Sequence, residues 1–359
     1  MEKGKSISFL VGAGLSMDAN LPGSVGLAQR LEKAFQADQP VSSTASNDIL
    51  LKLFRFLDGG IRFQRGIVGS NPSHPINIEE LAVAALRLRL RANNPIAPYV
   101  SGWHNRLVEL EATHPELLLV FEDILYERLA FFLSVSQATG YAYLSRFTDF
   151  VDAGFEVNIF TINYDLLVEA ALTSRNVQFI NGMGGTGEWQ SAAFFQTDGP
   201  STPRLFKLHG SLDWVDHEQY GICSLEYPRH REAELFERAQ RPLIIFGTDQ
   251  KLTAREPYLS LFYAFSTTLL RSDIVIVIGY SFGDQHLNEI LVQRFKDNRR
   301  QRMLVVGPNA DSELAAMPKL YRHPRVVSLP CSAKQALGDC LALQHLQRIL
   351  AEIQEEPPF

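Results

Sequence analysis

The sequence predicts an α/β protein with a doubly wound, mainly parallel, Rossmann-like sheet and an inserted helical subdomain. Three observations predict this fold. Short apolar runs alternate with helical patterns, as is typical of strands buried on both faces of a sheet. The first run ends in a glycine-rich turn, Gly12-Ala-Gly14, and leads into a helix. A long stretch between the first two runs contains helical patterns and almost no strand-like run.

Seven runs have the length and the β-branched composition of buried strands. They are Ile7 to Val11, Val157 to Thr161, Leu205 to Leu208, Leu243 to Phe246, Ile274 to Ile278, Met303 to Val306 and Val326 to Leu329. Helical patterns follow most of them, at Leu166 to Leu172, Tyr258 to Leu270, Leu287 to Phe295 and Cys340 to Ile353. Because strands and helices alternate, crossover helices and a parallel sheet are the natural arrangement.

The stretch between the first two predicted strands has five helical patterns separated by turn-rich segments. They are Val25 to Phe35, Asp48 to Leu57, Ile78 to Leu90, Trp103 to Leu110 and Leu117 to Phe132. We therefore predict a Rossmann domain formed by residues 1–35 and 151–359, and an inserted helical subdomain formed by residues 36–150.

Composition excludes several classes of protein. The 359 residues carry a formal net charge of -6, so no direct sequence-specific binding of nucleic acid is expected. The three cysteines, Cys223, Cys331 and Cys340, contain no C-x-x-C pair, so neither a zinc or other metal site nor a disulfide framework is predicted. Apart from the run that leads into the glycine turn, the longest apolar run, Ile274 to Ile278, is too short to span a membrane. A cytoplasmic protein without a membrane segment is expected.

The glycine turn after the first strand predicts a phosphate site. Gly12 and Gly14 allow a ligand to approach the main chain, and the following helix offers N–H groups and a positive dipole end. A strict dinucleotide fingerprint has a small residue where this chain has Met17, so a plain tight turn is the alternative.

Polar side chains follow two further predicted strands. Asn163 and Asp165 come directly after the second run, and His209 follows the run that ends at Leu208. Ligands bind at the carboxyl ends of strands in open α/β sheets, so these three residues are candidates for chemistry. Asn163 or Asp165 can equally cap the next helix, and a histidine in this position can be purely structural.

Small and hydrogen-bonding residues also follow two later strands. Gly279 and Ser281 come after the run at Ile274 to Ile278, and Asn309 follows the run at Met303 to Val306. They are suited to bind a phosphate or a ribose of a second nucleotide, and ordinary turn chemistry is the alternative.

Five motifs in this order resemble the sirtuin family. They are GAGLS at 12–16, LPGS at 21–24, TINYD at 161–165, KLHGSLDW at 207–214 and GYSFGD at 279–284. The resemblance is to the NAD-consuming prokaryotic branch without a zinc ribbon, which is found in antiphage defence. The helical insertion and the C-terminal end are not part of it.

The resemblance implies a role for each candidate residue. Gly12, Ala13, Gly14 and Ser16 would hold the pyrophosphate of NAD. Asn163 and Asp165 would line the pocket of the nicotinamide ribose, and His209 would be the catalytic histidine. The adenosine half would be bound by Gly279, Ser281 and Asn309.

Two departures distinguish this chain from the sirtuin deacylases. They carry Asp-Phe-Arg after an Ile-Pro that Leu21-Pro22 resembles, whereas this chain has Gly23-Ser24. They also carry a four-cysteine zinc ribbon, which three cysteines cannot form. No zinc is therefore expected.

The resemblance implies an NAD+ glycohydrolase that gives nicotinamide and ADP-ribose, with NAD as its substrate. It would be the NAD-depleting effector of an abortive-infection defence. It would act as a homo-oligomer or in a complex with an ATPase-like, helicase-like or Argonaute-like partner. The alternatives are an NAD-dependent protein deacylase or ADP-ribosyltransferase, and a non-catalytic module that senses NAD or ADP-ribose.

Overall fold

The structure is a computed structural model that describes residues 5–91, 104–195, 202–218, 220–225, 241–246 and 255–355. The chain divides into two compact units. One consists of Met1–Leu21 and Ser134–Phe359, and the other of Pro22–Leu133. We call them the sheet unit and the helical unit.

The sheet unit contains a six-stranded sheet with the strand order β3-β2-β1-β6-β7-β8. Every pair of neighbouring strands in it is parallel. Its strands are β1 (Ser6–Val11), β2 (Glu156–Thr161), β3 (Arg204–Lys207), β6 (Ile274–Ile278), β7 (Arg302–Val306) and β8 (Val326–Leu329). The predicted α/β fold with a Rossmann-like parallel sheet is confirmed.

Helices cover both faces of this sheet. The helices of the sheet unit are α1 (Ala13–Met17), α7 (Arg146–Asp152), α8 (Leu167–Ser174), α9 (Tyr258–Arg271), α10 (Gln285–Asp297), α11 (Ala310–Ala315), α12 (Ala333–Gln335) and α13 (Leu343–Glu355). On one face, Phe160 of β2 stacks on Phe206 of β3 and meets Phe265 of α9 edge-on. On the other face, Phe9 of β1 packs against Phe147 of α7. Burial on both faces explains why these strands are continuously apolar.

One predicted strand is not a strand. The segment from Leu243 to Phe246 makes a single antiparallel bridge, between Ile244 and Gly210. A two-stranded antiparallel hairpin, β4 (Trp214–His217) with β5 (Gly221–Ser224), lies elsewhere in the unit and was not predicted. Both strands are short, and Asp216 and Gly221 are exposed, so the pattern of a buried strand is missing there.

The helical unit contains α2 (Ser24–Gln36), α3 (Asn47–Ile67), α4 (Ile78–Arg89), α5 (His104–Thr113) and α6 (Leu117–Phe132). Phe35 of α2 lies at its centre, in ring contact with Phe54 of α3 and Phe121 of α6. Asn77 and Glu80 form a reciprocal capping box that defines the start of α4. None of the helices in the part of the chain that the structure describes is both long and apolar enough to cross a membrane.

The observed division of the chain differs from the predicted boundaries at 35/36 and 150/151. Helix α2 packs on α3, α4 and α6 and so lies in the helical unit, whereas α7 packs on β2 and lies in the sheet unit. The sequence predicted that the α2 segment is helical, and it did not predict α7. The sequence also contained no pattern that shows which neighbouring elements the apolar faces of α2 and α7 contact.

The order in which the chain adds strands to the sheet reverses between β1 and β6, and the glycines of the two strand ends meet there. A Cβ atom on Gly12 would lie 2.6 Å from the main-chain oxygen of Gly279, and one on Gly14 would lie 2.6 Å from the Cα of Gly279. Gly279 itself has a φ of +60°, which favours glycine. Main chain therefore packs directly on main chain at the topological switch point, where open α/β sheets bind ligands.

We expect Gly279→Ala to destabilise the sheet unit by about 2–5 kcal/mol. The added Cβ would lie 2.5 Å from the main-chain nitrogen of Leu15, and a left-handed conformation is unfavourable for alanine. Gly140→Ala is the matched control, since Gly140 has a φ of +68° with open space around it, and should cost about 1 kcal/mol. Urea unfolding measures both. Equal losses would contradict the role assigned to close packing.

Candidate functional site

The glycine turn is joined to the end of β6 by main-chain hydrogen bonds. The N–H of Gly12 donates to Ile278 O at 3.0 Å, and that of Gly14 donates to Gly279 O at 2.9 Å. The N–H of Leu15 donates to Gly12 O at 2.9 Å. Three N–H groups at the start of α1 are thus bonded within the protein. The N–H groups of this helix start are those predicted to bind a phosphate, so fewer of them remain for that purpose.

Asn163 links the loop after β2 to this glycine turn. Its Nδ2 donates to Gly12 O at 3.0 Å and to Ser16 Oγ at 3.1 Å. A main-chain carbonyl only accepts, so the nitrogen of the amide must face Gly12, and Oδ1 lies on the opposite side of the planar group. Asn163 is half-buried, and its fixed amide presents an acceptor at the carboxyl edge of the sheet.

Asp165 is buried and bonded through both carboxylate oxygens. Oδ2 accepts from Ser16 Oγ at 2.7 Å, and Oδ1 accepts from the N–H of Leu167 at 3.0 Å. The second bond satisfies a free N–H at the start of α8, as the capping alternative predicted. The first bond ties the loop after β2 to α1. These contacts are those of a residue that positions its neighbours.

A buried lysine lies beneath the same loop. Nζ of Lys207, on β3, donates to Asp165 O at 2.5 Å and forms an ion pair with Glu169 Oε1 at 2.8 Å. The lysine side chain is 1% exposed and that of Glu169 is 14% exposed. Burial raises the pKa of the Glu169 carboxyl, against the opposing pull of Lys207. The pair anchors the segment that carries Asn163 and Asp165.

His209 follows β3 and is buried, with a side chain that is 2% exposed. Its Nε2 lies 2.9 Å from Oδ2 of Asp284, whose side chain is 3% exposed. Gly210 has a φ of +84°, and a Cβ there would lie 1.9 Å from Leu243 O. The glycine therefore lets the chain turn sharply directly after the histidine.

The other predicted binding residues lie further along the carboxyl edge. Gly279 is half-buried at the end of β6, and Ser281 is exposed in the loop that follows. Asn309 is exposed after β7, and its main-chain oxygen accepts from Glu313 N at the start of α11. Since β3, β2, β1, β6 and β7 lie in this order, the predicted residues extend from His209 at one side to Asn309 at the other.

Residues 157–325 match the family model described as a SIR2-like domain. This chain carries a SIR2-like domain. The match includes Asn163, Asp165, His209, Gly279, Ser281 and Asn309, whereas the glycine turn precedes it. No curated protein matches the sequence.

Three solved structures are similar to the chain that carries this SIR2-like domain. A Sir2 homologue in complex with NAD is 14% identical, covers 98% of this chain and 91% of its own, and has a TM-score of 0.46. A mutant Sir2 homologue with ADP-ribose is 14% identical, with coverages of 99% and 96% and a TM-score of 0.45. A mutant with 2′-O-acetyl ADP-ribose is 16% identical, with coverages of 97% and 94% and a TM-score of 0.45.

Three residues near these strand ends were not predicted from the sequence. Asp284 and Lys207 lay inside the motifs that carried the resemblance, and each is a charged residue next to a strand end or helix start. Tyr143 had no such signal: its hydroxyl donates to Leu15 O, 128 residues away. Burial, followed by the charges of Asp18 and Asp165, raises the pKa of this phenol, which therefore stays a donor.

No group of three or more His, Cys, Asp or Glu side chains suited to a metal occurs among the residues described around the SIR2-like domain or elsewhere. The half-buried Asn163 and Gly279 border the carboxyl edge of the sheet, and the buried Ser16, Asp165 and Lys207 support it.

We expect Lys207→Met to destabilise the SIR2-like domain by about 3–5 kcal/mol, because it leaves the Glu169 carboxylate buried without its partner. The loss should shrink as the pH falls, since burial already raises the pKa of Glu169 and a protonated carboxyl carries no unpaired charge. The double variant Lys207→Met/Glu169→Gln should recover part of the loss. Urea unfolding between neutral and mildly acidic pH tests this.

The control for this pair is Arg255→Met, which breaks an exposed ion pair with Asp216. The side chains of Arg255 and Asp216 are 55% and 50% exposed, so we expect Arg255→Met to lower the free energy of unfolding by about 1 kcal/mol or less. A double variant as unstable as Lys207→Met would contradict the view that an unpaired buried charge causes the loss.

Proposed function

We propose that this chain is an NAD+ glycohydrolase, which cleaves the bond between nicotinamide and ribose and releases nicotinamide and ADP-ribose. The observation that carries the proposal is the fixed amide of Asn163. Its Nδ2 is held by Gly12 O and Ser16 Oγ at the topological switch point, so the orientation of the amide is fixed and Oδ1 lies on the side away from these two partners. The SIR2-like domain and the sirtuin-like motifs supply NAD as the expected substrate.

Cleavage of the bond between nicotinamide and ribose does not need a strong general acid. The nitrogen of nicotinamide carries positive charge in NAD, so the ring leaves as a neutral molecule with the electron pair of the broken C–N bond. The enzyme must stabilise an oxocarbenium-like ribose and supply a nucleophile. The oxygen of a water molecule then bonds to the anomeric carbon, and this water loses a proton. The reactants are therefore NAD+ and water, and the products are nicotinamide, ADP-ribose and one proton.

Asn163 and His209 are the groups that we assign to this step. Oδ1 of Asn163 accepts a hydrogen bond from the attacking water or a ribose hydroxyl and holds it near the anomeric carbon. Nε2 of His209 faces the Asp284 carboxylate and therefore carries hydrogen, so the basic nitrogen of the neutral ring is Nδ1. Nδ1 accepts the proton from the water or from a ribose hydroxyl.

Asp165 acts in this proposal as a positioning residue. Its two oxygens are bonded to Ser16 Oγ and to the N–H of Leu167, and Ser16 in turn accepts from Asn163. The carboxylate thereby fixes the hydroxyl on which the Asn163 amide rests. We therefore assign Asp165 to the support of this loop, whereas the resemblance implies that it lines the pocket of the nicotinamide ribose.

The dinucleotide would lie along the carboxyl edge of the sheet. Small residues of the glycine turn, Gly12, Ala13 and Gly14 with Ser16 behind them, would border its pyrophosphate. Gly279, Ser281 and Asn309 would meet the adenosine half. The half-buried Gly279 and the exposed Ser281 and Asn309 are accessible to a ligand, which supports this assignment.

Hydrolysis is favoured over protein deacylation by the cysteine count. A four-cysteine zinc ribbon cannot form from three cysteines, and Cys223 is buried while Cys331 and Cys340 lie together near the C-terminal end. We further propose that the activity serves antiphage defence and depends on a homo-oligomer or a partner protein, since unrestrained cleavage would deplete the NAD of the host.

The experiment measures nicotinamide release from NAD by the full chain over a range of protein concentrations. We expect Asn163→Ala and His209→Ala each to lower kcat by about 100-fold or more. His345→Ala is the control, because His345 lies in α13, outside the residues assigned to the reaction, and it should retain the wild-type rate. Thermal unfolding verifies that all variants are folded.

Three results would contradict the proposal. Equal turnover by the wild type and both site variants would remove Asn163 and His209 from the reaction. Tight NAD binding without nicotinamide release at any protein concentration would favour a sensing module, and release that requires an added acylated protein would favour a deacylase.

A further inference from the structure

The buried pair of His209 and Asp284 joins two loops that are distant in the sequence. Their side chains are 2% and 3% exposed, and the Nε2 to Oδ2 distance is 2.9 Å. His209 follows β3 and Asp284 follows β6, and β2 and β1 lie between these strands in the sheet. The two loops therefore meet across the carboxyl ends of β2 and β1, beside the loop that carries Asn163.

The carboxylate of Asp284 is fixed independently of the histidine. Its Oδ1 accepts from the N–H groups of His286 and Leu287 at 3.0 and 3.3 Å, so it caps the start of α10. The capping bonds leave Oδ2 directed at His209. One oxygen thus holds the helix and the other holds the imidazole.

The loop that delivers Asp284 is locked by its own hydrogen bonds. The hydroxyl of Tyr280 donates to Asp284 O at 3.1 Å or to Asn288 Oδ1 at 2.9 Å, and it accepts from Asp284 N at 3.2 Å. Nδ2 of Asn288 donates to Phe282 O at 2.7 Å, which holds Phe282 at a φ of +55°. The position of the carboxylate is therefore determined before any ligand binds.

We propose that Asp284 is the positioning residue of the NAD cleavage site, which fixes the ring of His209 with hydrogen on Nε2 and leaves Nδ1 as the proton acceptor. This inference rests on the proposed function. A carboxylate accepts and does not donate, so the imidazole nitrogen that faces it must carry hydrogen in either charge state of the ring. A buried carboxylate also stabilises the imidazolium that forms when Nδ1 takes a proton.

A purely structural role for the pair makes a different prediction. If Asp284 only caps α10 and joins two loops, any residue that keeps the cap and the contact will preserve activity. If it sets the hydrogen position on His209, the direction of the hydrogen bond matters. Asp284→Asn separates these cases, because Asn caps helices as well as Asp does and fills the same volume.

In Asp284→Asn, the side-chain oxygen keeps the two N–H groups of α10, and Nδ2 turns toward His209. An amide nitrogen donates, so Nε2 must then accept and the ring hydrogen moves to Nδ1. We expect kcat for nicotinamide release to fall by about 100-fold to 10,000-fold, as a wrong tautomer causes in other histidine catalysts. The KM for NAD should stay within about threefold, since Asp284 does not touch the substrate.

The tautomer is measured directly by 15N NMR of histidine-labelled full chain. The His209 signals are assigned by their loss in His209→Ala. We expect hydrogen on Nε2 in the wild type and on Nδ1 in Asp284→Asn. Asp284→Ser serves as the second variant: serine keeps the cap of α10, is too short to reach the imidazole, and should lower kcat with no preference for one tautomer.

The outcomes separate this inference from the proposed function. Wild-type kcat in Asp284→Asn, or hydrogen on Nε2 of His209 in that variant, would overturn the role of Asp284 while NAD cleavage stands. A wild-type chain that never releases nicotinamide would overturn the proposed function, and the NMR result would still report whether Asp284 sets the tautomer. A rise in KM and a fall in kcat together with lost thermal stability in both variants would indicate a structural role only.

Discussion

The contact between the glycine turn and Gly279 is the constraint on which the rest of the site depends. Two main-chain segments can approach this closely only where neither carries a side chain, and Gly12, Gly14 and Gly279 meet that condition at the switch point of the sheet. The approach lets Gly14 N–H bond Gly279 O, which joins the ends of β1 and β6. With these two ends fixed, the loops after β2 and β3 have a rigid surface against which to pack.

Behind that surface, buried polar groups satisfy each other in a continuous series. Lys207 holds Asp165 O, the Asp165 carboxylate accepts from Ser16, and Ser16 accepts from Asn163. Each buried group has a partner, so none of these bonds leaves an uncompensated donor or acceptor. The series ends at the half-buried amide of Asn163, whose orientation is thereby set by residues that no ligand touches. Such support is what allows a side chain on a loop to be held in one geometry.

The sequence predicted the sheet well because its strands are buried on both faces. The run at Ile7 to Val11 is continuously apolar for that reason, and its alternation with helices defines a parallel order. Leu243 to Phe246 has the same pattern, and Ile245 is as buried as a strand residue, yet the segment makes one bridge only. A continuous apolar pattern indicates that a segment is buried, but it does not indicate that the segment pairs with a neighbouring strand.

The candidate site was predictable in its position and not in its contacts. Residues at strand ends could be named from the order of motifs, since carboxyl ends of parallel strands share one edge. Which atoms meet depends on loop paths over long sequence separations, as in the 75 residues between His209 and Asp284. Lys207 illustrates the same limit. From the sequence alone a lysine in a strand is expected to be exposed, whereas in the structure it is buried and bonded to Glu169 and to Asp165 O.

Asn163 couples the two tasks of the proposed reaction. Its amide nitrogen is bonded to the glycine turn, which would border the pyrophosphate, and its amide oxygen would face the reacting ribose. A planar amide cannot move one end without the other, so any adjustment of the turn on binding is transmitted to the acceptor that aligns the water. Binding energy gained at the pyrophosphate can in this way be used to orient groups at the anomeric carbon, which raises kcat and not only affinity.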